Sequence, residues 1–267
     1  MIPLRDNIAS ERTPIVNMLM IGICSLVFLG QMMHAGPDGS PGLTAEFGMI
    51  PYRISHPGEP FDVPVGARLI QTNRGVEQEL IWEPAPPPAV TPLLTMFTCI
   101  FLHGGWMHIL GNMWFLWIFG DNIEDRLGHL GFALFYVASG LAASAAHYLT
   151  DSASQVPTIG ASGAIAGVMG AYFVWYTHSR VHSLIPVFGF LQFVEIPAPF
   201  FLGIWFLMQF LQGSMTAAEG GGVAWWAHIG GFVFGVGIAL LMKVTGAGGP
   251  TRMRREAPRF QHRQGEW

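Results

Sequence analysis

Apolar residues run almost free of charge through six stretches of this chain, at about residues 14–34, 105–124, 130–150, 160–178, 196–213 and 223–244. A helix needs roughly 20 apolar residues to cross the hydrocarbon core of a bilayer, so each stretch is predicted to be a transmembrane helix. The last five follow one another closely and leave no room for a second soluble domain. Polar positions gather at 1–13, 35–104 and 245–267. The predicted fold is therefore an all-α membrane protein, a bundle of six transmembrane helices over 14–244 with a long external first loop at 35–104. A short tail precedes it and a basic tail follows.

Composition agrees. Of the 267 residues, 51% are hydrophobic and only 11% charged, against about a quarter charged in a soluble domain. The first span follows a charged start (Arg5, Asp6, Glu11, Arg12) as a signal peptide would, but its apolar run is too long and no small-residue cleavage site closes it, so it reads as a retained anchor. Lys and Arg set the orientation. With both termini cytoplasmic, the inner segments hold Arg5, Arg12, Arg126, Arg180, Lys243 and the arginines at 252, 254, 255, 259 and 263, while the outer side holds only Arg53, Arg68 and Arg74 in the first loop. That loop also carries more than half of the 19 prolines, including Pro84 and Pro86 to Pro88, and is expected to be non-helical with a compact shape of its own. Cys24 and Cys99 are the two cysteines, and their positions in and beside apolar spans suit packing better than a disulfide.

Small residues recur at four-residue spacing in the fourth and sixth spans, as Gly163 and Gly167, Ala166 and Gly170, Ala227 and Gly231, Gly231 and Gly235. Close backbone approach through small faces supplies much of helix association in lipid, so these two helices are predicted to touch. Each carries one reactive residue, Ser162 and His228. Reactive polar groups at membrane depth are functional candidates by default. With the amino terminus inside, both helices run inward from the outer face. Ser162 lies near the start of one, and His228 about five residues into the other, roughly 7–8 Å down. The depths match well enough for an imidazole to accept the serine proton and make the hydroxyl nucleophilic. His108 and Asn112 stand at i and i+4 on the second span, near the same face, where they could serve with the Ser162 N–H as donors to a developing oxyanion. His103, just above that helix, is expected to be structural and to bond loop carbonyls.

These features resemble the rhomboid family of intramembrane serine proteases. The motifs stand in order: His108 and Asn112, Gly120-x3-Glu124-x3-Gly128, Gly160-x-Ser162-Gly163, and Ala227-His228-x2-Gly231-x3-Gly235. Together they cover about residues 92 to 240. The resemblance implies a rhomboid protease domain at 14–244, a Ser162–His228 dyad without a third carboxylate, and an oxyanion site from His108, Asn112 and the Ser162 backbone. The spans agree, because none has an Asp or Glu in its outer half to orient His228. Trp205 resembles a gating position of the family and reads equally well as a lipid-facing aromatic. Two departures stand out. Trp82 is followed by Glu83 where some relatives have Trp-Arg, and Ala166 takes a place where some relatives stack an aromatic on the histidine.

The implied substrates are single-span membrane proteins, cut near the outer end of the helix, with lipids as the surrounding partner and no nucleic acid, cofactor or metal. A zinc site from His103, His108, His147 and His228 is the first rival, disfavoured because no H-E-x-x-H run or neighbouring carboxylate base accompanies them. A client-binding relative without activity would have lost the serine or histidine, and both are intact. A transporter would show inverted repeats and helices broken at the midplane, and neither is seen. Short tails and the absence of a further span point to a bacterial inner membrane.

Overall fold

The computed structural model describes residues 1–34, 42–72, 75–187, 190–216 and 224–247. Five helices dominate: α1 (Ile15–His34), α5 (Trp106–Thr150), α6 (Ser162–Trp175), α7 (Ala198–Thr216) and α8 (Trp225–Thr245). Among the described residues α1, α5 and α8 are long and apolar enough to cross a membrane. At 45 residues, α5 would be about 70 Å long if straight. It is broken instead at Gly128, whose φ of 71° and ψ of 167° no helix contains. The chain doubles back there, since Ser144 near the end of α5 donates its hydroxyl to the Met96 carbonyl just before its start (3.1 Å).

The motif around this break has a physical reading. A Cβ on Gly120 would lie within 3 Å of Asn17, so α1 comes close at that point. The buried Glu124 carboxylate then accepts the Val16 and Asn17 N–H groups at 2.9 and 2.7 Å, donors that the first turn of α1 cannot pair internally. Gly128 makes the turn, and His129 Nδ1 closes on Glu124 Oε1 at 2.5 Å.

At the centre lies α6, buried at nearly every residue from Gly163 to Trp175. A helix apolar on all sides belongs inside a bundle, and these 14 residues are fewer than a full crossing needs. Its glycine face meets α8 as the spacing predicts. A Cβ on Gly231 would sit 2.0 Å from the Gly163 carbonyl oxygen, and one on Gly235 2.0 Å from that of Gly167. The two backbones are in contact, and any side chain at these positions would force them apart.

Each pole of the bundle is tied separately. At one, β1 (Ile2–Asp6) pairs antiparallel with β4 (Arg180–Val187), which pairs with β5 (Phe190–Pro197) leading into α7. At the other, the first loop folds into α2 (Gly42–Phe47), α3 (Pro51–Ser55), a hairpin of β2 (Asp62–Thr72) and β3 (Gly75–Pro84), and the short α4 (Thr95–Thr98). Met49 and Thr158 bridge it to the loop before α6, and the buried Arg53 guanidinium donates to the carbonyls of Ala45 and Pro86 at 2.6 and 2.8 Å. Two expectations are corrected. The protein is mostly helical but not all-α, and the 35–104 region is not uniformly non-helical. Backbone groups in both connecting regions need partners, and strand pairing supplies them where the apolar runs end. The arginines at 252 to 263, most of the predicted basic tail, lie outside the described residues.

Candidate active site

Ser162 occupies the first position of α6, where the helix offers its N–H no internal acceptor. The chain reaches it through Gly160, held at φ 126° with its N–H on the Cys99 carbonyl (2.9 Å). Glycine is required there twice over. The backbone lies in the positive-φ region, and a Cβ would fall 2.7 Å from His108 Nε2. Gly163 follows, with no room for a side chain against Ala143.

His228 rises from the facing side of α8, one turn before Gly231. Its Nε2 lies 2.7 Å from Ser162 Oγ, so the backbone contact at Gly163 and Gly231 is what brings the pair to hydrogen-bond distance. A hydroxyl and a neutral imidazole so placed can pass a proton and generate a nucleophile. Trp205 from α7 and Trp225 from α8 flank the imidazole, with ring centroids at 6.0 and 6.1 Å. Ala166 brings no ring to His228 and is buried in the α6–α8 seam.

His108 and Asn112 line the same cavity of about 400 Å³ as Ser162 and His228, together with Met107, Phe115, Trp205 and Gln209. The Gly104 N–H donates to His108 Nδ1 (3.2 Å), so the proton of a neutral His108 ring sits on Nε2, the nitrogen turned toward Gly160. Asn112 Nδ2 is buried with no partner among the described residues. Three donors of the predicted set, the Ser162 N–H, His108 Nε2–H and Asn112 Nδ2–H, thus border one space.

His103 is 2% exposed, and its ring packs edge-on against His108 at 5.2 Å. Burial, with His108 beside it, pushes its imidazole down to about 4, which keeps it neutral. Its ring lies beside the Phe101 carbonyl of the preceding loop, although neither ring nitrogen closes a hydrogen bond of ordinary geometry among the described residues. The same loop is tied to α1 by Gln31, whose side chain accepts the His103 N–H (2.9 Å) and donates to the His103 carbonyl (3.2 Å). No three of His, Cys, Asp and Glu come together to hold a metal among the described residues.

One residue of the site escaped the sequence. Gln209 of α7 sets its Oε1 2.5 Å from His228 Nδ1. Its signal was available, as an amide in the middle of an apolar span, one turn beyond Trp205. An uncharged amide is not among the carboxylates expected to orient a histidine, so the pattern alone does not assign it that role.

Comparison with known proteins adds the family. The model of the Rhomboid domain matches residues 91–244. The chain is 41% identical over 76 residues to RHOMBOID-like protein 5 of Arabidopsis thaliana, covering 28% of this chain and 25% of that protein. Longer matches reach Rhomboid protein 1, mitochondrial, of Saccharomyces cerevisiae (30% over 156 residues, 55% of this chain and 41% of that protein). They also reach Presenilin-associated rhomboid-like protein A, mitochondrial, of Danio rerio (29% over 153 residues, 56% and 38%). The chain thus spans less than half the length of these relatives.

Proposed function

The chain belongs to the rhomboid family, whose domain covers more than half of it, and we propose that this integral membrane protein is a serine endopeptidase that cuts single-span membrane proteins. The observation that carries the reading is the 2.7 Å contact between Ser162 Oγ and His228 Nε2 at the wall of a cavity that also holds Asn112 and His108. His228 takes the Ser162 proton as Oγ attacks a peptide carbonyl. The oxyanion that forms lies among the Ser162 N–H, His108 Nε2–H and Asn112 Nδ2–H, and His228 then returns its proton to the departing amine.

Among the described residues, the five main helices α1, α5, α6, α7 and α8 become six when the two arms of α5 are counted separately, and we read these as six crossings. Arg5, Arg126, Arg180 and Lys243 lie at the pole opposite Ser162, which supports cytoplasmic placement of that pole and of the amino terminus. Substrate would then meet Ser162 near the outer end of its own helix. A peptide carbonyl within a transmembrane helix is tied to the amide four residues on, and unwinding it in lipid exposes polar groups at several kcal/mol each. Cleavage is therefore expected where water reaches and helix propensity is poor, after a small residue with Gly, Pro or polar neighbours. Trp205, in the cavity wall against α8, stands on the α7 side by which such a segment would be admitted.

The test is reconstitution in liposomes with a model single-span substrate. Wild type is expected to release a product whose new terminus lies near the outer end of the substrate helix, and to be labelled by a fluorophosphonate at Ser162. Ser162→Ala and His228→Ala should insert and unfold like wild type yet yield no product. Wild-type cleavage by a well-folded Ser162→Ala protein would overturn the mechanism.

A further inference from the structure

We propose that Gln209 is a positioning residue for His228, an uncharged third member that fixes the imidazole so that its bare nitrogen faces Ser162. This rests on the reading of Ser162 as the nucleophile. A neutral imidazole has one N–H and one lone pair, and in water it exchanges them freely between its two nitrogens. Gln209 Oε1, 2.5 Å from His228 Nδ1, can only accept. The proton is therefore held on Nδ1, and the lone pair on Nε2 is left to receive the Ser162 O–H at 2.7 Å. With the opposite tautomer, Nε2 would present a hydrogen to the hydroxyl and the base would be blocked.

Two further observations support the assignment. Gln209 is 8% exposed in a helix where Met208 and Phe210 flank it, and a buried amide at membrane depth is unfavourable unless paired. Trp205, one turn earlier on α7, lies against His228 as well, so a single helix face holds the ring by a contact to its body and a hydrogen bond to its edge. The titratable groups bearing on His228 are His108 and His147, both from α5. No carboxylate among the described residues is paired with His228.

The proton balance is simple. As Oγ forms its bond to the substrate carbonyl carbon, the O–H bond of Ser162 breaks, the carbonyl π pair moves to oxygen, and the proton goes to His228 Nε2. The resulting imidazolium donates from Nδ1 to Gln209. An amide dipole stabilises that cation less than a carboxylate would, but it needs no second charge inside the bilayer.

The experiment compares full-length wild type, Ser162→Ala, Gln209→Leu and Gln209→Glu in the same liposomes, with ¹⁵N spectra of the imidazoles in detergent. Loss of the acceptor in Gln209→Leu is expected to lower kcat about 10- to 100-fold with KM little changed, the scale of a buried hydrogen bond whose donor is orphaned. Gln209→Glu keeps an acceptor oxygen in place and should recover most of that loss. A residue that merely tied α7 to α8 would not set the tautomer, so the spectra are the sharper readout: His228 should carry its proton on Nδ1 in wild type and populate both forms in Gln209→Leu. Wild-type kcat in Gln209→Leu, or a wild-type ring protonated on Nε2, overturns the proposal. Should Gln209→Leu fail to fold, the wild-type spectrum still decides. If wild type neither cleaves substrate nor takes up the fluorophosphonate, the protease reading fails, while the tautomer separately reports the contact.

Discussion

The helix that carries His228 has two unlike sides. Toward α6 it meets backbone with backbone, with the Gly163 and Gly167 carbonyls filling the spaces where Gly231 and Gly235 have no side chains. Toward α7 it meets large rings: Phe206 stacks on Phe232 at 4.7 Å, Trp205 lies 6.1 Å from Phe232, and Phe210 meets Trp226 edge-on at 6.4 Å. Outward, α7 exposes Phe200, Leu207 and Met208. The glycine seam has no torsions to adjust, so it fixes the Ser162–His228 distance. The α7 flank is held by side chains with torsions of their own, so in the proposed reaction it is the side that would yield to a bound segment, with the Gln209–His228 contact as its fixed point. The distance within the pair is thus set by the glycine seam, and on the α7 side the Gln209 contact orients the ring while the phenylalanines beyond it are the part that can repack.

The largest effect expected from testing this contrast comes from glycine substitutions matched across the two sides. A Cβ on Gly235 would lie 2.0 Å from one backbone oxygen and 2.7 Å from its carbon, whereas one on Gly203 of α7 meets nothing within 4 Å. Gly235→Val should therefore separate α6 from α8 and abolish both the folded protein and all cleavage. Gly203→Ala should keep activity and gain up to about 1 kcal/mol from helix propensity. Thermal unfolding in detergent, followed by far-UV dichroism, checks both. Equal tolerance of the two would mean that the seam is not what holds the pair.

A smaller loss is expected from His108 and Asn112, the two side-chain donors on the first arm of α5, an arm held close to α1 where a Cβ on Gly120 would fall within 3 Å of Asn17. Asn112→Ala should lower kcat by on the order of 10²- to 10³-fold, the effect of one oxyanion donor at a soluble serine protease, or less if His108 compensates. KM should hardly move, since the donor acts where charge develops. Steady-state kinetics on the reconstituted substrate separate the two constants. A change confined to KM would place Asn112 in substrate binding instead.

The rigid side was far more legible in the sequence than the rest. Glycines every four residues point to a helix face whatever else surrounds them, and two reactive residues at matching depth on such faces have few ways not to meet. Hydropathy located the apolar helices for the same reason, since a bilayer-length run is a one-dimensional signal. The sheets were hidden because their partners are remote and their patterns interrupted. The pairing of Ile2–Asp6 with Arg180–Val187 joins the chain start to a segment containing Pro186, and the β2–β3 hairpin slips register between Pro64 and Gly66. Gln209 was visible as an oddity, but its partner is fixed only once α7 leans on α8. His103 reads as a polar loop residue, and only the fold shows that its backbone is also anchored, by Gln31 of α1.

The smallest effect should come from the compliant flank itself. Phe206 stacks on Phe232 and is not among the residues lining the cavity, so removing its ring takes away packing between α7 and α8 while leaving Gln209 and Trp205 to hold His228. In lipid the lost contact is partly replaced by acyl chains, which are as apolar as the ring, so the fold should survive. If substrate must part α7 from α8 to reach Ser162, loosening them removes part of the opening cost. Phe206→Ala should then raise cleavage at low substrate concentration by a few fold, on the order of what gating steps contribute when they limit turnover. Reaction with a small fluorophosphonate, which can reach the cavity without parting the helices, should be unchanged. That pairing of outcomes distinguishes access from chemistry. Equal acceleration of both reactions would show that the flank tunes the site directly, and slower cleavage with unchanged labelling would show that substrate is admitted from another side.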